Sequence, residues 1–185
     1  FATSGVDLSA NVTITTGTGT NIGDVDFGGA IETDNGSRTL NINSGTGDVT
    51  FSEAIGLTNS LGGLDVNSTA GDGDGDIIFT KAIGDTSAGV AGTTAVGNSS
   101  TNQIRFLENT YTFGTGSTTF TTASGDKIVL EKGGDANTTF TTGATDTEAN
   151  VEMIADHSDD DDASNQYIAD NAVVRTFADS VAQLD

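Results

Sequence analysis

The 185-residue chain has no cysteine, no proline and no tryptophan. Without Cys there is no disulfide and no thiolate to serve as nucleophile or metal ligand. That fits the cytosol, and equally fits bacterial or archaeal exoproteins that stay unfolded during export. Without Pro, every backbone amide can donate, as stacked paired strands require. Basic residues are scarce: six Lys and Arg stand against 27 Asp and Glu, for a net charge of −21. Arg38, Lys81, Arg105, Lys127, Lys132 and Arg175 form no patch in the sequence. Such a chain repels nucleic acid and anionic lipid, since both need Lys and Arg to neutralise phosphate. It favours solubility, attracts cations and suits a salty medium that screens self-repulsion. No run of about 18 apolar residues occurs, so no membrane insertion is expected. No basic-then-apolar leader is visible, and Phe1-Ala2-Thr3-Ser4 reads as the start of a mature or excised chain. Apolar residues make up only 34%, too few for a thick core of interlocking helices.

What the chain does have is a decapeptide that comes round three times. Its form is G-D-[VI]-x-F-x-x-A-I, beginning at Gly23, Gly47 and Gly75, 24 and then 28 residues apart. A repeat of this period marks stacked supersecondary units, none able to bury its apolar face alone. Stacking would place Val25 over Val49 over Ile77, Phe27 over Phe51 over Phe79, and Ile31 over Ile55 over Ile83. These nine residues are the expected core ladder. Alternating segments precede each decapeptide, with Val12/Ile14, Leu40/Ile42 and Leu64/Val66 as equivalent positions. Gly-rich corners separate them, where Gly takes φ > 0 without strain. The expected fold is therefore all-β: a parallel β-solenoid of about 20–28 residues per turn. An antiparallel β-sandwich built into a filament by strand donation is the alternative, since turn-separated strands also permit it.

Solenoid turns are expected over residues 1–155, with an acidic loop and capping segment over 156–185. Residues 85–103 read as a loop or a loosely wound turn. Thr118-Thr119-Phe120-Thr121-Thr122 recurs 20 residues later as Thr138-Thr139-Phe140-Thr141-Thr142, and reads as a further turn repeat. Val173, Val174, Phe177, Val181 and Leu184 fall at helical spacing and predict a short C-terminal helix. A final strand from Val173 to Phe177 is the alternative.

Leu40-Asn41-Ile42-Asn43-Ser44-Gly45-Thr46-Gly47-Asp48-Val49-Thr50-Phe51 and the parallel run from Leu64 to Phe79 resemble bacterial repeat-containing β-helix exoproteins. These are the filamentous-haemagglutinin-like and autotransporter-passenger-like adhesins. The resemblance covers residues 10–155. It implies secretion, an elongated shape and a surface or matrix role, and it supplies no catalytic residues.

Few residues invite chemistry. Asp72, Asp74 and Asp76 alternate with glycine, a pattern that can converge carboxylates on calcium. Ile83 stands where a helix-loop-helix site needs its closing glutamate. Of the calcium-binding β-roll nonapeptide, Gly71, Asp76 and Ile78 match while Asp72 and Asp74 replace glycines. A solvated acidic corner is the competing reading. Asp159 to Asp162, near His157, reads as a solvated loop or a diffuse cation site. His157 is the only histidine, so zinc lacks partners, and no G-x-S-x-G elbow appears. Five N-x-[ST] sequons begin at Asn11, Asn35, Asn67, Asn98 and Asn137. The expected role is structural and extracellular: a subunit of a self-assembling fibre, sheath or surface layer, or an adhesin stalk. It needs no cofactor, with calcium an open option. Its expected partners are further copies of itself and cell-surface or matrix glycans. A polysaccharide-active β-helix enzyme is the alternative, working through paired carboxylates or bound calcium. Tyr111 and Tyr167 are then the only sugar-stacking aromatics besides Phe.

Overall fold

A computed structural model describes residues 5–17, 23–34, 37–69, 75–124, 126–130, 138–142, 151–156, 166–167, 172–176 and 181–184. These residues form eighteen short strands, numbered here in chain order, with no helix among them. The strands lie on three faces around one narrow core. The first face holds β1 (Val6–Leu8), β4 (Ile31–Thr33), β11 (Thr110–Thr112), β14 (Thr138–Thr141) and β18 (Val181–Leu184). Between β4 and β11 it is carried by single bridges, Ile31 to Ile55, Ile55 to Ile83 and Ile83 to Tyr111. The second face holds β2 (Val12–Gly17), β5 (Thr39–Ser44), β7 (Gly63–Val66), β9 (Thr94–Val96), β12 (Thr118–Ser124), β15 (Val151–Asp156) and β17 (Ala172–Thr176). The third holds β3 (Val25–Phe27), β6 (Val49–Phe51), β8 (Ile77–Phe79), β10 (Gln103–Phe106), β13 (Lys127–Leu130) and β16 (Gln166–Tyr167).

From β1 to β15 the chain visits the faces in that order, and neighbouring strands are parallel. The fold is a parallel β-solenoid. Strand alternation sends every second residue inward. Leu40 and Ile42 in β5 are each 1% exposed, while Asn41 between them faces solvent. Registry then places like on like. Val25, Val49, Ile77, Ile104 and Ile128 form one column, and Phe27, Phe51, Phe79, Phe106 and Leu130 the next. Phe27 and Phe51 stack at 5.4 Å and Phe51 and Phe79 at 5.0 Å, both pairs 1° from coplanar. The first face adds Val6, Ile31, Ile55, Ile83, Tyr111 and Phe140 as a column. The second adds Ile14, Ile42, Val66, Val96 and Phe120.

Three details differ from the sequence reading. The C-terminal segment is not helical where it is described: Ala172–Thr176 and Val181–Leu184 form β17 and β18, antiparallel to β15 and β14, so the strand alternative holds from Val173 to Thr176. The last parallel turn leaves unpaired backbone groups on its outer side. Satisfying them outweighs a helical spacing of apolar residues, and Val173, Val174 and Thr176 are β-branched. The Thr-Thr-Phe-Thr-Thr echo is not a turn repeat either. Phe120 lies on the second face beside Val96, and Phe140 on the first face beside Tyr111. The 20-residue spacing covers only part of a circuit. Residues 85–103 are the wound turn rather than the loop, and the turn is paired on both sides: Val90 bridges Leu61 and Phe113, and β9 lies between β7 and β12.

Candidate functional site

The acidic corner precedes the third face. Asp24, Asp48 and Asp76 each stand one residue before a β3, β6 or β8 strand, so registry stacks them. The Asp48 amide donates to Asp24 Oδ1 at 3.0 Å, and the Asp76 amide to Asp48 Oδ1 at 2.9 Å. The Asp24 and Asp48 carboxylates thus each cap the backbone of the next turn. Burial pushes the Asp76 carboxyl up from its ordinary range; Asp48 and Asp126 add to the rise and Arg105 opposes it. Gln103 and Lys127 follow at the corresponding places and end the run of negative charge. Asp72 and Asp74 lie outside the described residues, as do His157 and Asp159 to Asp162. Among the described residues, no three His, Cys, Asp or Glu side chains gather as a metal group would require.

Among the described residues, shallow grooves mark the outside. One, of about 350 Å³, lies on the second face over Gly62 and Gly63 and carries the polar residues Thr39, Asn41, Asp65 and Thr93. Gly at two adjacent positions removes side chains and makes the hollow. Another, of about 400 Å³, lies on the first face and holds two acids, Asp7 and Glu32. Glu32 is engaged: Leu57 N donates to Oε1 at 3.1 Å, Asn59 N to Oε2 at 2.7 Å, and Thr58 N reaches both oxygens. Its role in the fold is to gather a loop's amides. Tyr111 is fully buried in the first-face column, with Glu108 N donating to its hydroxyl at 2.9 Å. Burial raises its pKa, and it offers no platform to a sugar.

Two of the sequons are interior. Asn67 is 1% and Asn98 5% exposed. Asn67 takes φ 50°, donates to Ser44 Oγ at 2.8 Å, and accepts from Ser44 N at 2.9 Å. Asn98 donates to the Asn67 carbonyl at 2.5 Å. They form a polar column at the corner between the second and third faces. Asn11 is exposed; Asn35 and Asn137 lie outside the described residues. The signal for this column was present in the sequence as Asn67 directly after β7 and Asn98 two residues after β9, but it reads equally as turn composition.

The remaining features are the two ends. Among the described strands, β1, β2 and β3 each pair on one side only. In β1, Val6 N donates to Ala30 O and Asp34 N to Leu8 O, so both residues turn their backbone groups toward the following turn. The alternation of a parallel ladder then turns the N–H and C=O of Asp7 outward. In β3, Val25 N donates to Asp48 O and Phe27 O accepts from Ser52 N, so these two residues also bond to the following turn. Registry turns the backbone groups of Thr13 and Thr15 in β2 outward, as it does those of Asp7. Val6, Val12 and Ile14 are only partly buried, whereas their neighbours Ile31, Leu40 and Ile42 are each 1% exposed. At the far end, β16 lies antiparallel on β13, β17 on β15 and β18 on β14. The chain there visits the third, second and first faces, so its winding sense reverses.

The class these features define is a parallel β-solenoid with a reversed last turn. Comparison with protein-family models, with curated proteins and with solved structures finds no match.

Proposed function

We propose that the chain is a structural extracellular protein. It is a β-solenoid subunit of a self-assembling fibre, sheath or surface layer, or an adhesin stalk, at a cell surface or in a matrix. The observation that carries this reading is the ladder itself. Registered columns of mostly apolar side chains run along the described coil, and its described ends are strands bonded on one side. Such an object transmits length and stiffness, and its ends offer backbone donors and acceptors to another chain. The strong negative charge suits an external medium where salt screens it. Matrix or cell-surface glycans are the partners of an adhesin version, and calcium at the Asp72–Asp76 corner would bind opposite charge there.

Negative-stain imaging of the purified 185-residue chain tests the proposal. Elongated or layered assemblies are expected in high salt, and a comparison of calcium with chelator reads the contribution of the corner. Compact monomers in every condition would sink it. A polysaccharide-active enzyme draws on one observation, the pairing of Asp7 with Glu32 in a groove. A retaining or inverting mechanism needs both carboxylates free to act, and the Glu32 oxygens already accept three amides. Turnover of an acidic polysaccharide that disappears in Glu32→Gln would revive that reading.

A further inference from the structure

We infer that copies of this chain join head to tail, the reversed last turn of one docking antiparallel on the open first turn of the next. The inference rests on the self-assembling role proposed above and names its joint. Three observations meet here. The first turn carries outward-facing backbone groups at Asp7, Thr13 and Thr15, and an apolar layer (Val6, Val12, Ile14) less covered than its neighbours. The last turn ends the same three faces with β18, β17 and β16. Strand lengths correspond: three, six and three residues in β1, β2 and β3 against four, five and two in β18, β17 and β16.

Direction and charge select the arrangement. The solenoid already accepts antiparallel strands on an edge, since β16, β17 and β18 do this to β13, β15 and β14. Head-to-tail stacking repeats that contact with each face on its like face. Registry along the second face runs Thr13, Asn41, Asp65, Ala95, Thr119, Glu152, Arg175. The next copy would continue this column from Arg175 to Thr13. Arg175 is the only charged residue of β16, β17 and β18, and it is positive, whereas β1 and β3 carry Asp7 and Asp26. The competing head-to-head dimer fares worse. A two-fold axis through the second face sets β1 against β3 of the other copy. Asp7 then lies opposite Asp26 twice, and like charges directly across a pair are destabilising.

A head-to-tail contact is heterologous and does not close, so it grows a filament. Seven strands on the second face, each about 4.8 Å from the next, set an axial repeat of about 34 Å per copy.

The test is Thr13→Pro in the full chain. The Thr13 N–H faces the open edge, so proline removes no bond within the coil. Expected is an unchanged melting curve with at least a tenfold loss of filament mass at equal concentration. Filaments of normal length and quantity from a folded Thr13→Pro chain would overturn the joint while leaving the scaffold role standing, since growth would then use the faces. No assembly by the parent chain would remove both. If the variant does not fold, cysteine cross-linking decides, in a chain with no native Cys. Thr13→Cys combined with Arg175→Cys should give a covalent ladder of multimers with a short thiol cross-linker. Thr13→Cys alone should stay monomeric. Dimers from that single variant would show head-to-head pairing and overturn the inference, as would absence of the ladder.

Discussion

At Gly56 and Gly84 the chain leaves the first face with φ 64° at both positions. A Cβ on Gly84 would sit 2.4 Å from Gly89 N and from Ser87 O, and one on Gly56 would sit 2.1 Å from Gly89 O. In the first copy of the decapeptide the same place is taken by Glu32, which continues as strand β4. The first face is a strand where this position is Glu32 and a single bridge where it is Gly56 or Gly84. Gly84→Ala imposes both a left-handed backbone and a backbone clash. It should lower unfolding free energy by about 2 kcal/mol or more, read from urea melts. Asp76 makes a second residue-level prediction. Its carboxyl is raised in the folded state, first by burial and then by Asp48. The folded protein therefore holds that proton more tightly than the unfolded chain. Ionised Asp76 weakens the fold at neutral pH, and the penalty fades as pH falls through the raised value. Asp76→Asn should raise the melting temperature at pH 7 and reduce the stabilisation seen on mild acidification.

Among elements, the third face carries a run of four stacked rings, Phe27, Phe51, Phe79 and Phe106. Phe51 is 1% exposed, between Phe27 at 5.4 Å and Phe79 at 5.0 Å. Truncation to alanine opens a cavity in the middle of the stack and should cost about 3–5 kcal/mol. Phe27→Ala, at the end of the stack, should cost less; equal losses in parallel denaturation series would contradict this ranking. This face was also the most legible in the sequence. Val25, Phe27, Val49, Phe51, Ile77 and Phe79 recur at nearly constant spacing, and nothing competes with stacking them. The second-face columns read equally well from alternation in Leu40–Asn43 and Leu64–Asn67. Legibility failed where local pattern met a distant edge. Val173 to Leu184 has helical spacing, but the unpaired side of β14 and β15 made strands of Ala172–Thr176 and Val181–Leu184. The Thr-Thr-Phe-Thr-Thr echo misled because two faces of one coil use the same alternating code. Thr94 and Thr118 were invisible as core. They continue the Leu40 and Leu64 column, buried, with hydroxyls that have no partner. Of the candidate site, an open first turn was legible, since a solenoid must end in strand edges; which backbone groups face outward was not, because registry sets that and no residue type announces it.

For the whole molecule, charge acts against compactness. A net −21 over 185 residues repels itself through distances that salt shortens from about 30 Å at 0.01 M to about 3 Å at 1 M. The melting temperature should climb steadily with sodium chloride over that range, and a flat or falling curve would show that self-repulsion does not limit the fold. Cooperativity belongs to this scale too, since each turn touches chiefly its two neighbours.

The single reversal of winding after β15 has a consequence for how such a chain could change its length. Duplicating one whole circuit upstream of Asp156 would insert another storey and leave both terminal storeys as they were. Rods of many lengths could then share the same pair of couplings, and a longer variant could enter the same polymer without altering its joints.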